Sequence, residues 1–131
     1  MKKENAGSKI ACEDISKIFI QKGTQKVHVL HDINFNVQDN EFLIILGPGQ
    51  CGKTTLLRIV AGLETPTDGK TYLNGEEVTV PGPDRGIVFQ KYMLFEWRTV
   101  LENVMMGPKL RGMPKDQCFS LAMKFIKLVG L

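Results

Sequence analysis

Between Val27 and Val37 apolar and polar positions alternate, with Ile33, Phe35 and Val37 set against Asn34 and Asn36. This period of two predicts a half-exposed antiparallel ribbon, in which a strand over Ile10 to Asp14 is the partner and "QKGTQK" the turn between them. After a turn at Asp39-Asn40 the pattern changes to "EFLIIL", an apolar run without interruption, which predicts a strand covered on both faces, as in the parallel sheet of an α/β protein. From Lys53 to Leu63 the period lengthens again: Leu56, Leu57, Val60 and Leu63 recur at helical spacing, and Gly62 with Pro66 suits a helix end.

Turn residues crowd "TPTDGKTYLNGEEVTVPGPDRG" around "KTYL" and "EEVTV", predicting a short hairpin, and "GIVFQ" follows as a further strand. "KYMLFEWRTVLENVMMG" reads as a loop entering a short helix, with Thr99 and Glu102 spaced as a capping box. "RGMPKDQ" opens a last helix. Its polar residues Asp116, Gln117, Ser120, Lys124 and Lys127 fill a wedge of only about 100 degrees at 3.6 residues per turn. Phe119, Leu121, Met123, Phe125, Ile126, Leu128 and Val129 occupy the rest, so this helix expects neighbours on more than one side.

Composition narrows the class of protein only slightly. At 131 residues the chain fits one modest domain, and its 17 basic against 14 acidic residues are scattered, which gives no electrostatic reason to expect nucleic acid. No segment approaches the roughly 20 apolar residues needed to span a bilayer, and the expectation is a cytosolic chain. Cys12, Cys51 and Cys118 are odd in number and lack a paired spacing, so they are read as reduced thiols rather than a disulfide framework or zinc site.

Chemistry enters at "GPGQCGKTT", Gly47 to Thr55. Gly47, Gly52, Lys53 and Thr54 complete the phosphate-loop pattern of a glycine, four residues, then Gly-Lys-Thr, between a predicted buried strand and a predicted helix. Such a loop turns successive backbone N–H groups onto phosphates at the positive end of a helix. Lys53 would set a point charge on the β- and γ-phosphates, and the Thr54 hydroxyl would be a Mg²⁺ ligand. The plain alternative is a glycine turn that only joins strand to helix. The expectation is that the loop, Gly47, Pro48, Gly49, Gln50, Cys51, Gly52, Lys53, Thr54 and Thr55, binds ATP with Mg²⁺.

From about Ile10 to Leu131 the sequence resembles the ATP-binding subunits of ABC transporters, and within them the importers of nitrate, alkanesulfonate and taurine type. "LHDINFNVQDNEFLIILGPG", "LLRIVAGLETPTDGKTYLNGEEV" and "DRGIVFQ" carry the family likeness, while "WRTVLENV" and "LRGMP" point to the anion importers. The resemblance implies a P-loop NTPase core of α/β class, incomplete, with an N-terminal antiparallel β-subdomain (mainly 1–40), a core from the phosphate loop to the Q-loop (41–98) and the start of a helical subdomain (99–131). It makes Gln90 the Q-loop glutamine, joining Mg²⁺ and the attacking water to the surface that meets the membrane subunit. Phe19 falls where the family stacks an aromatic on adenine, although "QKGTQK" lengthens its spacing to Lys53, and packing in the core is an equal alternative. Gly49 replaces the family's usual serine and Gln50 its usual glycine. The latter demands that Gln50 avoid backbone angles open only to glycine. Cys51 is a small loop residue, or a thiol made reactive by the helix N-terminus. Tyr92, Phe95 and Trp97 are either a docking surface for a membrane subunit or packing beneath their loop.

The family's signature LSGGQ helix, Walker B aspartate, catalytic glutamate and switch histidine all lie beyond the point matching Leu131, and the implied chemistry is nucleotide binding with negligible hydrolysis by this polypeptide alone. In the full-length family the partners are integral-membrane permease subunits and a second ATP-binding subunit, at the inner face of the cell membrane. Two other readings stand beside this one: a short, non-hydrolysing nucleotide-binding or regulatory module that competes for the permease, and a small kinase of another P-loop class.

Overall fold

The computed structural model describes residues 7–21, 23–91 and 93–131. Lys22 in the expected "QKGTQK" turn and Tyr92 in the expected aromatic group lie outside the described residues. Among the described residues, those up to Ile87 form one compact unit and those from Val88 onward another.

The first unit is built on a four-stranded antiparallel sheet in the order β2-β1-β3-β4. β1 (Ser8–Gln21) and β2 (Gln25–Gln38) form the ribbon predicted by the alternating pattern, but both strands are longer than the sequence pattern marks. Irregularities in β1 explain why its sequence does not look like a long strand. The register shifts between Cys12 and Ile15 and again around Lys17, and Asp14 sits at φ +52° with Asp32 at φ +46°. Side chains repair these breaks: the Asp14 amide donates to Asn34 Oδ1 at 2.9 Å, and Ser16 Oγ donates to Asp32 Oδ1 at 3.1 Å. β3 (Asp68–Leu73) turns through Asn74-Gly75 into β4 (Glu76–Glu77), the hairpin expected from the turn residues, with a second strand shorter than "EEVTV".

Helix α1 (Lys53–Val60) ends where Gly62 takes φ +75°, as its glycine and proline suggested. Its buried face, Leu56 and Ile59, packs with Cys12, Ile15 and Leu30 of the ribbon, and Val29, Ile33 and Phe35 close around them. Truncating Ile59 to Ala at this centre would cost about 3 kcal/mol. The Cys12 thiol, buried beside Thr71 Oγ1 at 3.8 Å, has its pKa raised by burial.

Two expectations fail. "EFLIIL" is not a doubly covered strand: residues 41–48 run without regular secondary structure and all are exposed, although alternation survives, with Ile45 37% and Leu46 87% accessible. A strand exists through its ladder, and among the described residues no neighbour pairs with this segment on either side. "GIVFQ" likewise forms no strand, for the same reason.

The second unit is a helix pair, α2 (Val100–Leu110) and α3 (Lys115–Leu128). α2 carries the full predicted capping box on Thr99 and Glu102 and runs past the expected "MMG" through Pro108. α3 buries Cys118 and Ala122, while Phe119, Phe125, Leu128 and Val129 are exposed, so only one side of its broad apolar face is covered. Among the described residues all three cysteines are free thiols, and no helix is long and apolar enough to cross a membrane.

Candidate functional site

Gly52 starts α1 at φ +93° and is buried against the ribbon: a Cβ there would stand 2.7 Å from the Val29 carbonyl oxygen and 2.9 Å from Leu30 Cδ2. Only glycine permits both that angle and that approach. This contact seats the loop on β2. The first rung of the helix ladder runs from Leu56 N to Gly52 O at 2.9 Å, so the amides of Lys53, Thr54 and Thr55 have no rung of their own at the positive end of α1. No acidic side chain stands in that first turn to compete for them.

A shallow cavity of about 160 Å³ opens over these amides, lined by Val29 and by Gln50 through Thr55. Lys53 Nζ donates to the carbonyls of Gly47 at 2.8 Å and Pro48 at 2.7 Å and lies 3.3 Å from Cys51 Sγ. The loop is thus wrapped around its own ammonium. A Cβ on Gly47 would reach to 2.8 Å from Cys51 Sγ and 3.9 Å from Lys53 Nζ, so that glycine keeps the hollow clear. Gly49, by contrast, faces open space, with nothing within 4 Å of where a Cβ would stand, and a serine would fit there without change. Gln50 answers the question its side chain raised: φ is +63°, inside the small left-handed region that L residues can occupy and outside the angles reserved for glycine. The turn is made at a conformational cost of about 1 kcal/mol.

The residues present fit a triphosphate and its metal. A cleared hollow, three amides without helix partners and one ammonium are a phosphate-binding set, and Thr54, exposed in the first turn, puts a hydroxyl beside them. Among the described residues no group of three or more His, Cys, Asp or Glu side chains forms a metal site of its own.

Phe19 pairs with Val27 across the ribbon and shares its face, two residues along β2 from Val29 in the cavity wall. Phe19 is 36% exposed and lies outside the core cluster. Gln90 belongs to the second unit, where it is exposed. In that unit Phe95 and Trp97 stack at 5.4 Å between centroids, tilted by 54°, and Trp97 is 78% exposed rather than packed beneath the loop.

Three residues that hold this architecture escape a reading of the sequence. Asn103 accepts from the Phe95 amide at 2.8 Å and donates to the carbonyls of Phe95, Arg98 and Thr99, tying the aromatic loop to α2. An asparagine inside a helix is the available signal, since its side chain competes for backbone groups. Arg85 donates to Ala61 O at 3.2 Å and to Val80 O at 2.5 Å, fastening the end of α1 to the segment after the hairpin. Lys17 places its ammonium 2.7 Å from Glu64 Oε1 and 4.9 Å from the Phe19 ring centroid, contacts that no local pattern announces.

Comparison with known proteins gives the family. The profile of the ABC transporter family matches residues 30–131. An uncharacterized ABC transporter ATP-binding protein of Methanocaldococcus jannaschii is 52% identical over 130 residues, covering 99% of this chain and 48% of that one. The nitrate import ATP-binding protein NrtD of Synechocystis sp. is 43% identical over 118 residues (90% and 44% covered), and the taurine import ATP-binding protein TauB of Pelagibacter ubique 41% over 124 residues (95% and 47%). Among solved structures, the dimeric post-hydrolysis state of the ATP-binding cassette MJ0796 bound to ADP and Pi superposes with a TM-score of 0.81 at 26% identity, over 93% of this chain and 57% of that chain. The chain spans about half the length of the curated relatives it matches. With a phosphate loop seated on an antiparallel ribbon, and the family profile matched across most of its length, the chain belongs to the ABC transporter family.

Proposed function

We propose that this chain is the ATP-binding portion of an importer ATPase subunit that energises uptake of a small anion such as nitrate, a sulfonate or taurine. The observation that carries the reading is the Lys53 ammonium held inside the Gly47–Thr55 loop, ahead of the unpaired amides of α1. On binding, Lys53 would exchange its two carbonyl acceptors for phosphate oxygens, the amides of Lys53 to Thr55 would take the remaining oxygens, and Phe19 would supply the surface for adenine. Thr54 would hold Mg²⁺, which neutralises phosphate charge when bound. Holding MgATP is the work of this portion, and hydrolysis belongs to the complete subunit. The tilted Phe95–Trp97 pair on the exposed loop before α2 is the surface offered to a permease subunit. The site of action would be the inner face of the cell membrane, with a second ATP-binding subunit as partner.

Calorimetry with MgATP tests the central claim. The chain binds MgATP, and Lys53→Ala abolishes the heat of binding; retained affinity in the variant would mean that the loop does not hold the phosphates.

A further inference from the structure

The groups gathered at the loop, amides, an ammonium and a hydroxyl, suit phosphate oxygens and offer no ring face for a base. We infer that Lys17 is a positioning residue for base stacking: its ammonium covers one face of Phe19 and leaves the other to the adenine of ATP. The inference rests on the proposed nucleotide binding.

The geometry is specific. Lys17 Nζ donates to Thr65 O at 2.6 Å, pairs with Glu64 Oε1 at 2.7 Å, and lies 4.9 Å from the Phe19 centroid. Its side chain is only 13% exposed and that of Glu64 24%, so the ammonium is fixed and partly dry, unlike a typical surface lysine. The segment that fixes it follows α1: Thr67 Oγ1 accepts from the Ile18 amide at 3.0 Å and Thr67 N donates to Ser16 O at 2.8 Å. Residues 64–67 therefore clamp β1 on both sides of Lys17. The clamp carries no phosphate-binding group, yet it ends on an aromatic that shares the cavity face of the ribbon. A cation over one face draws on the negative quadrupole of the ring and holds it in a single orientation. Phe19 stays 36% exposed, outside the core cluster, and the Lys17 ammonium is a fixed contact on one face of its ring.

The test separates base from phosphate. Binding of MgATP and of inorganic tripolyphosphate is measured for the full chain, Lys17→Gln, Lys17→Arg, Glu64→Gln and Phe19→Ala. Lys17→Gln removes the charge while keeping a donor for Thr65 O. It should weaken MgATP by about three- to fivefold, the range of an exposed cation–π contact, with tripolyphosphate unchanged. Phe19→Ala should show the same selective loss, Glu64→Gln a smaller one, and Lys17→Arg should restore MgATP binding. Unchanged MgATP affinity in Lys17→Gln overturns the inference, and so does an equal loss of both ligands, which would make Lys17 a fold residue. If the unsubstituted chain binds neither ligand, the nucleotide-binding proposal fails and this inference with it.

Discussion

Lys53 Nζ donates to the Pro48 carbonyl across 2.7 Å, so the cation that would meet phosphate is already satisfied by its own loop. It also reaches the Gly47 carbonyl at 2.8 Å. Each bond is charge-assisted but exposed to solvent, and together they contribute about 1 kcal/mol once the exposure is discounted. Two measurements on Lys53→Ala should therefore diverge. Urea unfolding should shift by about that small amount, while MgATP binding disappears. A variant that loses both together would be misfolded, and one that loses neither would place the phosphates elsewhere.

Gln50 predicts the opposite direction of change. Its backbone sits at φ +63°, a left-handed angle that costs any residue with a Cβ, so Gln50→Gly should relieve strain. Part of that gain returns to the unfolded chain, which becomes more flexible. A net stabilisation of about 0.5 kcal/mol is expected by urea midpoint, with MgATP affinity kept. Destabilisation would mean that the glutamine side chain has a role the backbone angle does not reveal.

Gly52 is the counter-case, where a side chain meets backbone instead of open space. Gly52→Ala combines φ +93° with a Cβ 2.7 Å from Val29 O, and strain plus overpacking should cost about 3 kcal/mol. Because β2 cannot yield without disturbing Leu30 in the core, the loop should leave its seat and MgATP binding should fall with stability. A stable, binding-competent Gly52→Ala would show that the ribbon does not fix the loop.

The alternation of Ile33, Phe35 and Val37 made the ribbon legible, because one face packs on α1 and the other meets water. The loop was legible from its spacing, and Gly47 and Gly52 each have a local reason for lacking a side chain. What misled was "EFLIIL": an apolar run specifies burial, but the ladder that would make it a strand depends on neighbours distant in sequence, and the described residues supply none. Lys17 and Asn103 were illegible for a related reason. Lys17 acquires its meaning from Glu64 and Phe19, and Asn103 from carbonyls of a loop with no period of its own.

The cap of α2 makes a pH prediction. Glu102 is held below its ordinary pKa, first by the Thr99 amide donating to Oε2 at 2.9 Å and then by the Thr99 hydroxyl. A lowered folded value means that the contribution is whole above the ordinary glutamate range and is lost as pH falls through the lowered value. Thr99→Ala removes the hydroxyl that accepts from the Glu102 amide at 3.2 Å and should cost about 1 kcal/mol near neutrality. It should also raise the Glu102 titration midpoint, followed by the side-chain carboxyl carbon in NMR. An unmoved midpoint would show that the backbone amide alone sets it.

Cysteine reactivity gives a final, spatially resolved check on the phosphate loop. Cys12 and Cys118 are 2% and 1% exposed, and burial raises the Cys12 pKa further out of the reactive range, whereas Cys51 is exposed at the cavity. Iodoacetamide on the native chain should therefore alkylate Cys51 alone, as read by mass spectrometry of peptides. Cys51 Sγ lies 3.3 Å from the Lys53 ammonium, in the hollow that phosphate would fill. Saturating MgATP should slow its alkylation at least about tenfold, as expected for a thiol reached only when the ligand dissociates. Lys53→Ala should leave labelling of Cys51 insensitive to nucleotide, because the variant no longer retains the protecting ligand. Equal rates with and without MgATP in the unsubstituted chain would put the nucleotide outside this loop, whatever affinity calorimetry gives.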